Sequence, residues 1–204
     1  MRTKVFATAI LWFAAIAIAA SAFAASPQSS KGTLTLDPAH TRISFTVGGP
    51  MHTTTGTFQL KNGTITADPA AGQASGEIVI DTNSANTGES MRDAKMKDSV
   101  LETARFPEIV FVPKKVAGHE DSDGNFTARM TGILRLHGSD HEITLDVSGR
   151  IVGDSLTAST NFVVPYVAWG LANPGILFLR VDKVVDVAIE VSGHVTWITA
   201  AVMR

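Results

Sequence analysis

The chain contains no cysteine among its 204 residues. Disulfide staples, thiolate catalysis and cysteine-based zinc sites are therefore excluded, and the fold must be held by its core alone. There is no surplus of basic residues either: 17 Lys and Arg stand against 19 Asp and Glu, a net charge of −2. Nucleic acid, which demands a clustered basic face, is not an expected partner. Also missing are a G-x-S-x-G elbow, an H-E-x-x-H pair and a G-x-G-x-x-G turn opening a helix, so no cofactor is implied. No repeat of solenoid period occurs. Past the first two dozen residues, no apolar run approaches the ~20 residues that span a bilayer, so no stable membrane insertion of that part is expected.

Those first residues differ in kind. Arg2 and Lys4 precede an apolar run from Val5 to Ala20, Ala22-Phe23-Ala24 fits the small-x-small cleavage rule, and a polar stretch, Ser26 to Ser30, follows. This order describes a cleaved secretory signal peptide over 1–24, the competing reading being an uncleaved anchor. Without those residues, which hold two basic side chains and no acidic one, the balance becomes 15 against 19. Export without disulfides fits a periplasmic location. The expected organisation is a linker over 25–32, one domain over 33–195 and a short tail over 196–204.

The domain is dominated by alternation with period two. Thr41 to Val47 places Ile43, Phe45 and Val47 on one face, and similar patterns run over 74–81, 108–116, 125–137, 141–152, 155–164, 176–180 and 183–195. Thr53 to Lys61 and Gly63 to Asp68 read as a hairpin about Asn62-Gly63, the strongest short turn signal. Further turns are expected at Asp68-Pro69, Asp121 to Gly124, His137-Gly138 and Gly153-Asp154. Long antiparallel strands joined by tight turns predict an up-and-down sheet closed into a barrel, which also removes exposed edges.

One helix interrupts the pattern, over Glu89 to Thr103. Met91, Met96, Val100 and Leu101 share roughly one face, Thr87 or Ser90 could cap the start, and Pro107 stops it. A helix in this setting is either a lid over a cavity or a plug closing a core. Methionine suits a surface that adapts to variable ligands, although Met91 and Met96 also suit an ordinary core.

Catalytic constellations find little support. His137 and His141 flank Gly138-Ser139-Asp140, so they border a turn rather than share a helix face, and no acidic partner stands at ligand spacing. Arg92-Asp93 are adjacent and do not face each other; Arg92 is the best candidate for meeting an anionic head group near a barrel mouth. Seven large aromatics, Phe45, Phe58, Phe111, Phe126, Phe162, Trp169 and Phe178, are spread over several segments. A filled core and a lined cavity use the same residues.

The motifs in order resemble one family. Asp37 to Val47 resembles D-x-x-H-S-x-[IV]-x-F-x-V; then come Gly56-Thr57-Phe58, Ile80 to Gly88, Arg92-Asp93, Phe106 to Phe111 in place of Y-P-x-I-x-F, and Gly132 to Gly138 resembling G-x-L-T-[IL]-H-G. Together they resemble the YceI-like, polyisoprenoid-binding family of bacterial periplasmic proteins. The resemblance implies a lipocalin-like antiparallel β-barrel with a short helical insert beside its opening, binding rather than catalysis, and often a homodimer. Its lumen would hold the tail of a polyprenyl phosphate or quinone-like lipid.

Two departures stand out: Lys95 and Met96 replace the histidine and leucine of R-D-x-H-L, and Val163 to Gly175 replaces an R-S-[DE]-[FW]-G-[IM] block. The expected lumen contacts are Ile43, Phe45, Phe58, Phe111, Met130, Leu134 and Trp169, with Met91 and Met96 over the opening and Arg92 at the head group. The alternative is a non-catalytic stress or envelope protein whose barrel is filled and acts through its surface. A hydrolase or metal enzyme fits least.

Overall fold

A computed structural model describes residues 31–49, 53–175 and 181–198. Among these, alternation yields nine strands: β1 (Gly32–Leu36), β2 (Arg42–Val47), β3 (Thr54–Asp68), β4 (Gln73–Asn86), β5 (Glu108–Glu120), β6 (Asn125–Leu136), β7 (Ser139–Val152), β8 (Ser155–Val164) and β9 (Val185–Trp197). From β2 onward each strand pairs antiparallel with the next, and β9 returns to β1 and β2. The sheet thus closes into an eight-stranded barrel, as the long strands and tight turns predict.

β1 and β2 share one place in that wall. Leu34 is paired with Ile65 on β3 and Val195 on β9, while Ile43 is paired with Phe58 on β3 and Ile189 on β9. The kink between them is a 3-10 turn, Pro38–His40, whose Asp37 carboxylate accepts the Ala39 N–H at 2.8 Å and meets His40 Nδ1 at 2.6 Å. β1 was not expected from the sequence: five residues with two inward leucines are too short for a clear period.

The expected hairpin at Asn62-Gly63 does not form. A type I′ turn needs positive φ at both central residues, and neither Asn62 nor Gly63 has it. β3 instead runs straight through, with a bulge between Leu60 and Asn62. A Cβ on Gly63 would stand 2.8 Å from Leu36 Cδ1, so this glycine makes room for β1 rather than for a turn. The actual β3–β4 turn follows Asp68, whose Oδ1 accepts the Ala71 N–H at 3.0 Å. The His137-Gly138 turn does form, with φ of 51° and 74°, the type I′ signature. The strand expected over 176–180 lies outside the described residues.

The helix is shorter than its periodicity suggests. α1 covers Ser90–Lys95 and passes into a π-helical turn, Met96–Val100. Its cap is Glu89, not Thr87 or Ser90: the carboxylate accepts N–H groups of Met91 at 3.0 Å and Arg92 at 2.7 Å. Two acceptor oxygens on one side chain satisfy two of the orphan donors at once.

Side chains fill the barrel at the end remote from α1. Leu36, Ile43, Leu60, Ile80, Leu156 and Val195 form one buried cluster, and Phe111, Leu134 and Leu145 form a second beside it. A third, with Ala85, Val100, Leu101, Leu136, Val164, Tyr166 and Leu171, lies under the helix.

Candidate functional site

Register decides which side chains enter the upper lumen. Phe45 is paired with Val187, Ile43 with Phe58, and Ile80 with Ile109. Successive residues alternate sides, so Val47, Phe45, Thr54, Phe58, Ile109, Leu136, Val164, Val185 and Val187 point into the half of the barrel nearest α1. They surround a cavity of about 770 Å³, roofed by Met96, Val100 and Leu101 and walled on one side by Tyr166, Leu171, Pro174 and Val181. The volume falls within the roughly 300–1,000 Å³ typical of small-molecule sites.

Phe45 and Phe58 meet at this wall with ring centroids 5.2 Å apart. Their approach depends on Gly56, where a Cβ would stand 2.3 Å from Phe45 Cζ. One inward layer deeper, Ile43, Leu60, Phe111 and Leu134 are buried in the clusters below, so the cavity ends there.

The roof is tied down at both ends. Asp93 Oδ1 accepts the Thr87 N–H at 2.8 Å and the Thr87 hydroxyl at 2.6 Å. The hydroxyl bond first, with the Thr87 N–H and the Lys97 and Arg92 charges, holds the Asp93 carboxyl below the usual aspartate range. At the exit, the buried Thr82 donates its hydroxyl to the Phe106 carbonyl at 2.8 Å, and its N–H bonds Pro107 O at 3.1 Å. The Phe106 ring rests on His137, with centroids 4.4 Å apart, joining the roof to the β6–β7 turn.

Two cations stand at the rim. Arg92 Nε donates to Thr87 Oγ1 at 2.8 Å, and Lys95 Nζ donates to the Pro174 carbonyl at 2.9 Å. Their partners are neutral oxygens, and among the described residues neither cation is in an ion pair. An apolar chamber with two cations at its mouth can take a molecule with an apolar body and an anionic or strongly polar end. Tyr166 braces the opposite lip by donating its hydroxyl to Asp182 O at 2.7 Å; burial first, then Asp182, raises its phenol.

The residues expected from sequence divide. Phe45, Phe58, Met96 and Arg92 line the chamber, and Met91 lies at its rim with 80% of its surface exposed. Ile43, Phe111 and Leu134 point inward but belong to the filled layers beneath, and Met130 packs against them. Trp169 is not a lining residue: it stacks on His141 with centroids 3.9 Å apart and planes 6° apart, and packs half-buried against the second and third clusters. Tyr166, Leu171 and Lys95 were missed as lining residues. For Lys95 the signal was visible, since it stands one helical turn from Arg92.

The chain can now be set beside known proteins. Among curated proteins none matches. Solved structures that resemble it include BcnA of Burkholderia cenocepacia, at 18% identity and a TM-score of 0.61, covering 77% of this chain and 98% of that one. A polyisoprenoid binding domain from Saccharophagus degradans, implicated in plant cell wall breakdown, aligns at 20% identity and a TM-score of 0.62, covering 80% and 98%. The YceI protein of Campylobacter jejuni aligns at 23% identity and 0.51, covering 65% and 79%. At these identities the likeness is one of fold. The sequence profile of the YceI-like domain matches residues 34–193. With that span covering nearly the whole barrel, the chain belongs to the YceI-like domain family.

Proposed function

We propose that the protein is a periplasmic, non-enzymatic carrier of an isoprenoid-type lipid. The tail lies in the upper lumen and the head group meets Arg92 and Lys95 at the rim. The observation that carries this reading is the apolar chamber closed below by packed side chains and edged above by two cations that, among the described residues, are in no ion pair. Burying an apolar chain there contributes about 25 cal/mol per Å² removed from water, so few polar contacts are needed. The polyisoprenoid binding domain with the same fold supports the choice of lipid class, and a quinone-like lipid shares the same tail chemistry. The open upper chamber weighs against a wholly filled barrel acting through its surface alone.

Export follows from the signal-like residues 1–24, and no helix among the described residues is long and apolar enough to cross a membrane. The deciding experiment is solvent extraction of the protein purified from its native host, followed by mass spectrometry. A stoichiometric isoprenoid-type lipid is expected; protein that is lipid-free and fails to take up added isoprenoid lipid would overturn the proposal.

A further inference from the structure

We infer that Glu102 and His137 form an acid-closing clasp that pins the roof to the barrel wall and slows ligand exchange as the pH falls. The identity of the ligand, though not the clasp, rests on the lipid reading above. Glu102 directly follows Leu101, a roof residue of the chamber, and His137 directly follows Leu136, a wall residue of the same chamber. A link between Glu102 and His137 therefore acts on two lining residues at once.

Both side chains leave the backbone at left-handed positions. Among the described residues they are the only non-glycine residues with positive φ, 46° at Glu102 and 51° at His137. Glu102 stands where the helical segment ends, and its carbonyl accepts the N–H groups of Arg105 at 2.8 Å and Phe106 at 3.0 Å. Its carboxylate Oε1 lies 3.4 Å from His137 Nε2, a buried nitrogen with no hydrogen-bond partner among the described residues. The Phe106 ring covers the imidazole and lies against Gly138, where a Cβ would stand 2.6 Å from Phe106 Cε1.

A buried polar atom without a partner costs free energy. Protonation of the imidazole makes that nitrogen a charged donor toward a carboxylate already facing it. Imidazoles as a class charge between about pH 5 and pH 8, where carboxylates stay ionised. The clasp is therefore made on the acid side of this range and relaxed on the alkaline side. The other charged groups around the turn have partners of their own. Glu102 Oε2 accepts from Arg105 at 2.5 Å, the Arg105 guanidinium lies 5.0 Å over the Phe106 ring, and Arg135 and Asp140 pair with each other at 2.8 Å. His141, four residues along, stacks on Trp169.

The test is release of N-phenyl-1-naphthylamine, a neutral lipophilic fluorophore, from the purified protein, followed by stopped flow between about pH 5.5 and pH 8. Wild-type release should be about three- to tenfold slower at the acid end, the lower part of what a charge-assisted bond supplies, because Glu102 is partly exposed. Uptake passes the same roof, so it should slow in step and leave the affinity changed by less than about twofold. Glu102→Gln and His137→Asn, the latter suited to a left-handed position, should release at the wild-type alkaline rate throughout, with circular dichroism checking the fold. Wild-type release that is equal or faster at the acid end overturns the clasp. So does a pH dependence that survives in either folded variant. If the fluorophore does not bind, amide protection of residues 97–101 decides: a rise at acid pH in the wild type alone upholds the clasp, and equal rises or none overturn it. The lipid reading falls separately, if prenols also fail to bind.

Discussion

Gly56 shows how one missing side chain shapes the chamber. The Phe45 ring lies over its Cα, and a Cβ there would meet Phe45 Cζ at 2.3 Å. Gly56→Ala should push the ring toward the cavity and cost about 1–3 kcal/mol through overpacking. Chemical denaturation and prenol binding should both weaken; a variant with wild-type stability and affinity would contradict the packing account. At the rim, Arg92 and Lys95 act as separate donors. Replacing both with Gln should weaken binding of a prenyl phosphate by roughly ten- to a hundredfold while changing a prenol much less, because only the charged head group uses them. Equal losses for the two ligands would assign these side chains to the shape of the lip. Asp93 makes a further test. Its folded pKa lies below the unfolded one, so its contribution is complete above about pH 4 and is lost as pH falls through the folded value. Thermal midpoints of wild type and Asp93→Asn should differ at about pH 6 and draw together as the pH falls below the ordinary aspartate range; a constant gap would remove the linkage.

At the scale of elements, the roof is a short helix that could not stand alone. Six α-helical residues and a π turn are too few for independent helicity in water, so capping and side-chain burial hold them. Glu89→Ala removes both acceptors at the helix start and should cost about 0.5–2 kcal/mol. Hydrogen exchange should show faster opening of residues 90–100, with strands β5 to β9 unchanged. The turn signals had unequal value for a physical reason. His137-Gly138 adopts the positive φ values that a two-residue turn requires, whereas Asn62-Gly63 is held extended by pairing with Val79 and Ile78 on β4. A glycine beside an asparagine reports what the backbone can do; the neighbouring strands determine what it does.

For the whole molecule, closure distributes stability around the wall. Among the described residues the strand pairs form a ring, which leaves little strand edge as a template for another chain, chiefly the 139–146 half of β7 that extends past its pairing with β8. Leu156, with 1% of its surface exposed, is packed in the filled end. Leu156→Ala should destabilise by about 2–5 kcal/mol while leaving lipid affinity of the folded fraction near wild type, since the chamber lies at the other end. Loss of affinity in parallel with stability would show that the two ends are coupled. A bound lipid should also raise the melting temperature in a concentration-dependent way, because it binds only the folded barrel.

The antiparallel barrel, the inward faces of its strands and the short helix follow from local periodicity: a closed sheet must bury one face of every strand, and that leaves a period of two in the sequence. Five of the ten residues expected at the site line or rim the chamber, Phe45 and Phe58 through strand alternation and Met91, Arg92 and Met96 through the helix. What local pattern does not carry is depth along the barrel. Ile43 and Phe45 have the same alternation and the same hydrophobicity, yet one is sealed in the filled end and the other faces open space. Register and bulges decide that, since they set the height of each inward residue against its neighbours. Trp169 lies outside the strand alternation altogether. Its stack on His141 is decided by the turn between β8 and β9 that delivers it, a long-range contact with no periodic trace in the sequence.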